Sequence, residues 1–147
     1  MGHDALYKEI ILEHHKDPRN HGLLESATAS ITKHNPLCGD NVTVQIKLSP
    51  DNKTVDDIMF SGSGCSISVA SASILTDDVK GQSVEKTLKL IEQFRGVMQG
   101  NEKPEVLEGD VEALTGVRQF PVRIKCALLA WTALKELIEN QNKEKSA

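Results

Sequence analysis

Asn35-Pro36-Leu37-Cys38-Gly39-Asp40-Asn41-Val42-Thr43-Val44-Gln45-Ile46-Lys47-Leu48 reads as a tight turn and the strand that leaves it. Val42, Val44, Ile46 and Leu48 are apolar, with Thr43, Gln45 and Lys47 between them, which is the two-residue period of a strand with one buried face. In the turn, Pro36 pushes Asn35 out of the helical region and Gly39 lets the backbone double back. Cys38 and Asp40 can then point at one centre, the arrangement of a metal-ligand loop. Cys-Gly-Asp alone is a weak signal, and it needs further ligands from elsewhere in the chain.

Outward from this stretch the alternation continues. Ala27, Ala29 and Ile31 lie upstream, and Val55, Ile58 and Phe60 lie beyond the turn residues Ser49-Pro50-Asp51-Asn52-Lys53. The pattern predicts a three-stranded antiparallel meander in which the Cys38 loop joins the first two strands. On either side the period becomes helical. Ile10, Ile11 and His14 share a stripe before Pro18 and Gly22, and Ile67 to Leu75 follow the glycine-rich Ser61-Gly62-Ser63-Gly64-Cys65. A helix begins after Ser83 with Val84, Leu88, Ile91, Phe94 and Val97 or Met98 inward. The last helix opens on Pro121 and repeats apolar residues from Val122 through Cys126 and Leu129 to Ile138, before a polar tail from Asn142 that should fray. Pro104 to Gln119 reads as short turns on a surface excursion broken by Gly109 and Gly116. The expected fold class is α+β, a small three-stranded antiparallel sheet covered by helices, in one domain over residues 1–147.

Composition excludes several functions. At 147 residues the chain can bury a core without metal or disulfide staples. A formal net charge of -4, with the basic residues dispersed, gives no footprint for a nucleic-acid backbone, and the scarcity of aromatics gives no stacking platform. No apolar run approaches the roughly 20 residues of a membrane span, and the first residues are not a secretory signal, so a cytoplasmic protein is expected. Three cysteines in such a chain do not form a disulfide framework. His14, His15 and His21, around the end of the first helix, read as surface or capping residues.

The cysteines share a setting. Cys65 falls at a helix N-terminus, and Cys126 near the start of the last helix, where partial positive charge favours a thiolate. With Cys38 and Asp40 they make three soft ligands and one hard one, enough for four-coordinate zinc or part of an iron-sulfur shell. Asp40 is the odd member and the ligand expected to exchange most easily. Arg123 and Lys125, flanking Cys126, can offset the excess negative charge.

Four motifs in order carry a family resemblance: Tyr7, Ile11, His14, Pro18-Arg19-Asn20 and Gly22; then Asn35-Pro36-Leu37-Cys38-Gly39-Asp40; then Gly62-Ser63-Gly64-Cys65; and Pro121-Val122-Arg123-Ile124-Lys125-Cys126-Ala127. Together they resemble the U-type iron-sulfur cluster assembly proteins (IscU, SufU and the N-terminal domain of NifU) over nearly the whole chain. Two departures point toward the SufU type. Lys125 stands where the IscU pattern has histidine, and only Phe120-Pro121-Val122-Arg123 stands near the place of its chaperone-recognised Leu-Pro-Pro-Val-Lys. The Pro104 to Gln119 segment resembles the insertion of SufU-type members.

The resemblance implies a zinc-bound sulfur acceptor that takes persulfide sulfur from a pyridoxal-phosphate cysteine desulfurase and passes it toward cluster assembly. Cys38, Asp40, Cys65 and Cys126 would hold zinc. Cys38, on the loop able to move, would receive the sulfur, with Cys126 as second candidate. The competing expectation is a non-enzymatic scaffold on which Cys38, Cys65 and Cys126 assemble a transient [2Fe-2S] cluster for transfer to apo-proteins. A Cys38–His34 hydrolase explains neither Cys65 nor Cys126.

Overall fold

Alternation along the chain becomes a meander in the computed structural model, which describes residues 2–37 and 39–146. Strands β1 (Ala29–Asn35), β2 (Asp40–Leu48) and β3 (Val55–Ser63) form one antiparallel sheet in the order β1-β2-β3. β2 is central, and its inward residues Val42, Val44, Ile46 and Leu48 are all buried, as their two-residue period requires. The register pairs Asn35 with Asp40 across the first turn and Asn41 with Ser63 across the second ladder. The first turn and the exit of β3 therefore lie at one end of the sheet. β3 runs through Ser63, so Ser61-Gly62-Ser63 belongs to the strand and not to a glycine loop. Gly62 is needed there, since a Cβ would stand 2.0 Å from the Asn41 carbonyl oxygen.

Four helices cover the sheet: α1 (Gly2–Lys16), α2 (Ser66–Val79), α3 (Val84–Met98) and α4 (Pro121–Ser146). Helix α2 packs closely against α4 because its residues are small. Ser71 Oγ donates to the Ala127 carbonyl at 2.5 Å and accepts from Trp131 Nε1 at 2.8 Å, so two buried polar groups of the interface satisfy one another. Trp131 stacks on Phe94 of α3 with ring centroids 4.1 Å apart. Ser83 caps α3, its side chain accepting from the Lys86 N–H.

Several expectations are corrected. The segment from Pro104 to Gln119 is not a surface excursion. It forms a 3-10 turn (Pro104–Val106) and a 3-10 segment (Gly109–Gln119), and Leu107, Val111, Ala113, Leu114 and Val117 are buried. Gly116 lies inside that segment and does not break it. Val122 is 64% exposed and outside the core, because Pro121 and its neighbours form the projecting first turn of α4. That helix continues to Ser146 through the tail expected to fray. His14 is neither capping nor on the surface: it is buried, and its ring nitrogens bond Ser73 Oγ and Asp110 Oδ2, each at 2.7 Å. His21 packs edge-on against Phe60, ring centroids 5.1 Å apart.

Candidate metal centre

At the sheet end defined by the Asn35–Asp40 pair, Asp40, Cys65 and Cys126 come together, their donor atoms all within 4.8 Å of one another. Each arrives on a different element. Asp40 is the first residue of β2, Cys65 is the N-cap of α2, and Cys126 is the sixth residue of α4. Asp40 and Cys126 are buried, and Cys65 is half-buried. Cys38 lies outside the described residues.

Three hydrogen bonds orient the donors. The Cys65 backbone N–H donates to Asp40 Oδ1 at 2.8 Å, which leaves Oδ2 facing Cys65 Sγ at 4.0 Å. Cys65 Sγ accepts from the Ser68 N–H at 3.4 Å, the capping bond of α2, so its sulfur sits on an unpaired amide at a helix start as the sequence predicts. Cys126 Sγ accepts from Asn35 Nδ2 at 3.5 Å. Here the helix-start expectation fails in part: Cys126 is past the first turn, and the helix charge falls off beyond it. A side-chain amide at the end of β1 donates instead.

The donor set fits a tetrahedral ion. Metal–sulfur and metal–oxygen bonds of about 2.3 and 2.0 Å place ligand atoms about 3.5 to 3.8 Å apart, close to the 4.0 Å between Cys65 Sγ and Asp40 Oδ2. Three corners are thereby supplied by described residues. Gly64 makes room for one of them, since a Cβ there would stand 2.6 Å from Asp40 Oδ1. Arg123 and Lys125 are both exposed on the first turns of α4, and Lys125 lines a cavity of about 320 Å³ with Lys33, His34 and Asn35. His34 is exposed and is not among the clustered donors.

Residues 6–146 match the NifU-like N-terminal domain. The chain belongs to that family. It is 45% identical over 134 residues to the zinc-dependent sulfurtransferase SufU of Bacillus subtilis, covering 90% of this chain and 89% of the relative. It is 44% identical over 135 residues to the iron-sulfur cluster assembly scaffold protein IscU of Streptococcus pyogenes, covering 91% and 83%. The crystal structure of a nitrogen-fixing NifU-like protein (N-terminal) from Brucella abortus superposes with a TM-score of 0.84 at 25% identity, covering 95% of this chain and 96% of that one. The three-stranded sheet with its helical cover is thus the fold of this family.

Sequence reasoning found Asp40, Cys65 and Cys126. It missed Asn35 as a donor and Gly64 as the space for a carboxylate. The only sequence signal for either is its place: Asn35 three residues before Cys38, and Gly64 directly before Cys65.

Proposed function

We propose that this chain is a zinc-bound sulfur acceptor of iron-sulfur cluster biogenesis, a single cytoplasmic domain over residues 1–147 that serves a cysteine desulfurase. The observation that carries the reading is the convergence of Asp40, Cys65 and Cys126 within 4.8 Å at one sheet end. Cys38 is the fourth ligand and the sulfur acceptor, on the strength of its place two residues before Asp40 in the turn that delivers Asp40 to the cluster. Arg123 and Lys125, exposed on α4 just before Cys126, supply positive charge to offset the thiolates. Zinc, when bound, keeps the thiols deprotonated at neutral pH.

Transfer is then a thiol exchange. The Cys38 thiolate attacks the outer sulfur of the desulfurase persulfide, a new S–S bond forms on Cys38, and the old one breaks with its electron pair returning to the desulfurase thiolate. No net oxidation occurs. Meanwhile the Cys65 N–H holds Asp40 by Oδ1, and Cys65 and Cys126 keep their N–H donors. The protein is a carrier whose resting thiols are protected and oriented.

The test is metal content as purified, followed by stimulation of a partner desulfurase before and after chelation. Stoichiometric zinc, with stimulation lost on removal and regained on zinc return, is expected. Iron with labile sulfide, or stimulation indifferent to zinc, would overturn it in favour of the second reading: a scaffold assembling a [2Fe-2S] cluster as cargo. That alternative is favoured by the 44% identity to a relative named as an IscU scaffold. Anaerobic reconstitution and transfer to an apo-ferredoxin measures it directly.

A further inference from the structure

Asn35 is the last residue of β1, 6% exposed, and paired in register with Asp40. The strand pair therefore sets one ligand, the Asp40 carboxylate, beside the amide that contacts another, Cys126 Sγ. Cys126 is 0% exposed, so water cannot reach its sulfur to supply a hydrogen bond. The two described cysteines differ in how they are served. The donor to Cys65 is the Ser68 backbone N–H, which the capping geometry of α2 supplies whatever the side chain. The donor to Cys126 is a side chain and can be removed by substitution.

We propose that Asn35 is a positioning residue whose amide N–H fixes Cys126 as a resident, weakly nucleophilic ligand of the metal centre. A metal-bound thiolate has no proton to offer, so the amide must present its N–H and not its oxygen. Hydrogen bonding to the sulfur orients it and withdraws electron density from it, as partners behind a ligand do in metal sites generally. Sulfur arriving at the centre is thereby steered away from Cys126. Pro36, next in the chain, supports this by holding Asn35 in the extended conformation that ends β1.

This inference rests on Asp40, Cys65 and Cys126 being ligands, and cobalt(II) as probe separates the two claims. In cobalt(II)-loaded protein, Asn35→Leu, close to asparagine in size but without a donor, should move the sulfur-to-metal charge-transfer band to lower energy. The ligand-field envelope that reports tetrahedral geometry should stay in place, and zinc affinity should fall about tenfold. Asn35→Ala also lacks the N–H and adds no bulk; it should shift the band the same way and guards against misfolding caused by the leucine side chain. In a Cys126→Ser background Asn35→Leu should shift nothing, because the sulfur that receives the bond is gone. A band unmoved in both variants, or moved equally in the Cys126→Ser background, overturns the role of Asn35 alone. Absence of any charge-transfer band in the unsubstituted protein overturns the ligand reading beneath it.

Discussion

The Cys65 backbone N–H donates to Asp40 Oδ1 at 2.8 Å, so the carboxylate is anchored by one oxygen while the other faces Cys65 Sγ. Gly64 sits against this anchored group. Gly64→Ala would place a Cβ 2.6 Å from Oδ1 and 3.1 Å from the Asp40 Cγ, and the side chain is the part able to give way. The expected result is a folded protein with an unchanged far-ultraviolet spectrum and zinc affinity lowered about 10- to 100-fold, measured by chelator competition. Unchanged affinity would show that the anchored position of Asp40 does not matter to the metal.

Cys38→Ala should abolish stimulation of the desulfurase while leaving the fold intact. Cys65→Ser, Cys126→Ser and Asp40→Ala should each lower the zinc content of the purified protein. The core formed by β2, α3 and α4 holds large apolar side chains, with Ile46, Ile91, Phe94, Trp131 and Leu134 fully buried, so none of these changes should unfold the chain. Removing zinc should cost only the binding contribution, seen as a melting temperature that rises with added zinc. A Cys38→Ala protein that still stimulates the desulfurase fully would transfer the acceptor role to Cys126.

The sheet and all four helices were legible, the strands and α3 most plainly, because their burial is periodic. Val42 to Leu48 alternate, and Val84, Ile91 and Phe94 recur at helical spacing. The segment Gly109–Gln119 was not, because a 3-10 segment has neither period and its buried residues Val111, Ala113, Leu114 and Val117 look irregular in one dimension. In the candidate metal centre the clustered donors Asp40, Cys65 and Cys126 could be read from residue type and turn chemistry. Asn35 could not, since its contact spans 91 positions in sequence and an asparagine before a proline is explained well enough by the turn alone.

His14 ties that 3-10 segment to the helices. Its ring bonds Ser73 of α2 and Asp110 at the start of the segment, and the Arg19 backbone N–H donates to the same Ser73 Oγ at 2.8 Å. His14→Ala removes two hydrogen bonds and leaves a cavity in a site only 2% exposed. It should destabilise the protein by about 2 to 3 kcal/mol in urea unfolding. Hydrogen exchange over Gly109–Gln119 should quicken more than over the sheet. Equal effects in both regions would mean that the segment is held by its apolar residues and not by His14.

Asp78 ends α2 half-buried, and its pKa is raised from 3.8 to about 6 by burial first and then by the charges of Asp77 and Asp110. The unfolded chain loses this proton near the ordinary carboxylate value, while the folded chain keeps it until about pH 6. Stability from this group is therefore complete below the unfolded value, declines as pH rises toward 6 and stays reduced above it. Asp78→Asn carries no charge at any pH and should be the more stable protein at about pH 8, by about 1 kcal/mol after allowance for partial exposure. At about pH 3 the difference should nearly vanish, because the carboxyl is then protonated in both the folded and the unfolded chain. Urea midpoints of the two zinc-free proteins at both pH values provide the check, and comparing them at each pH cancels the titrating groups that do not interact with Asp78. A gain at low pH equal to that at high pH would trace the effect to packing at the end of α2 and not to the charge of Asp78.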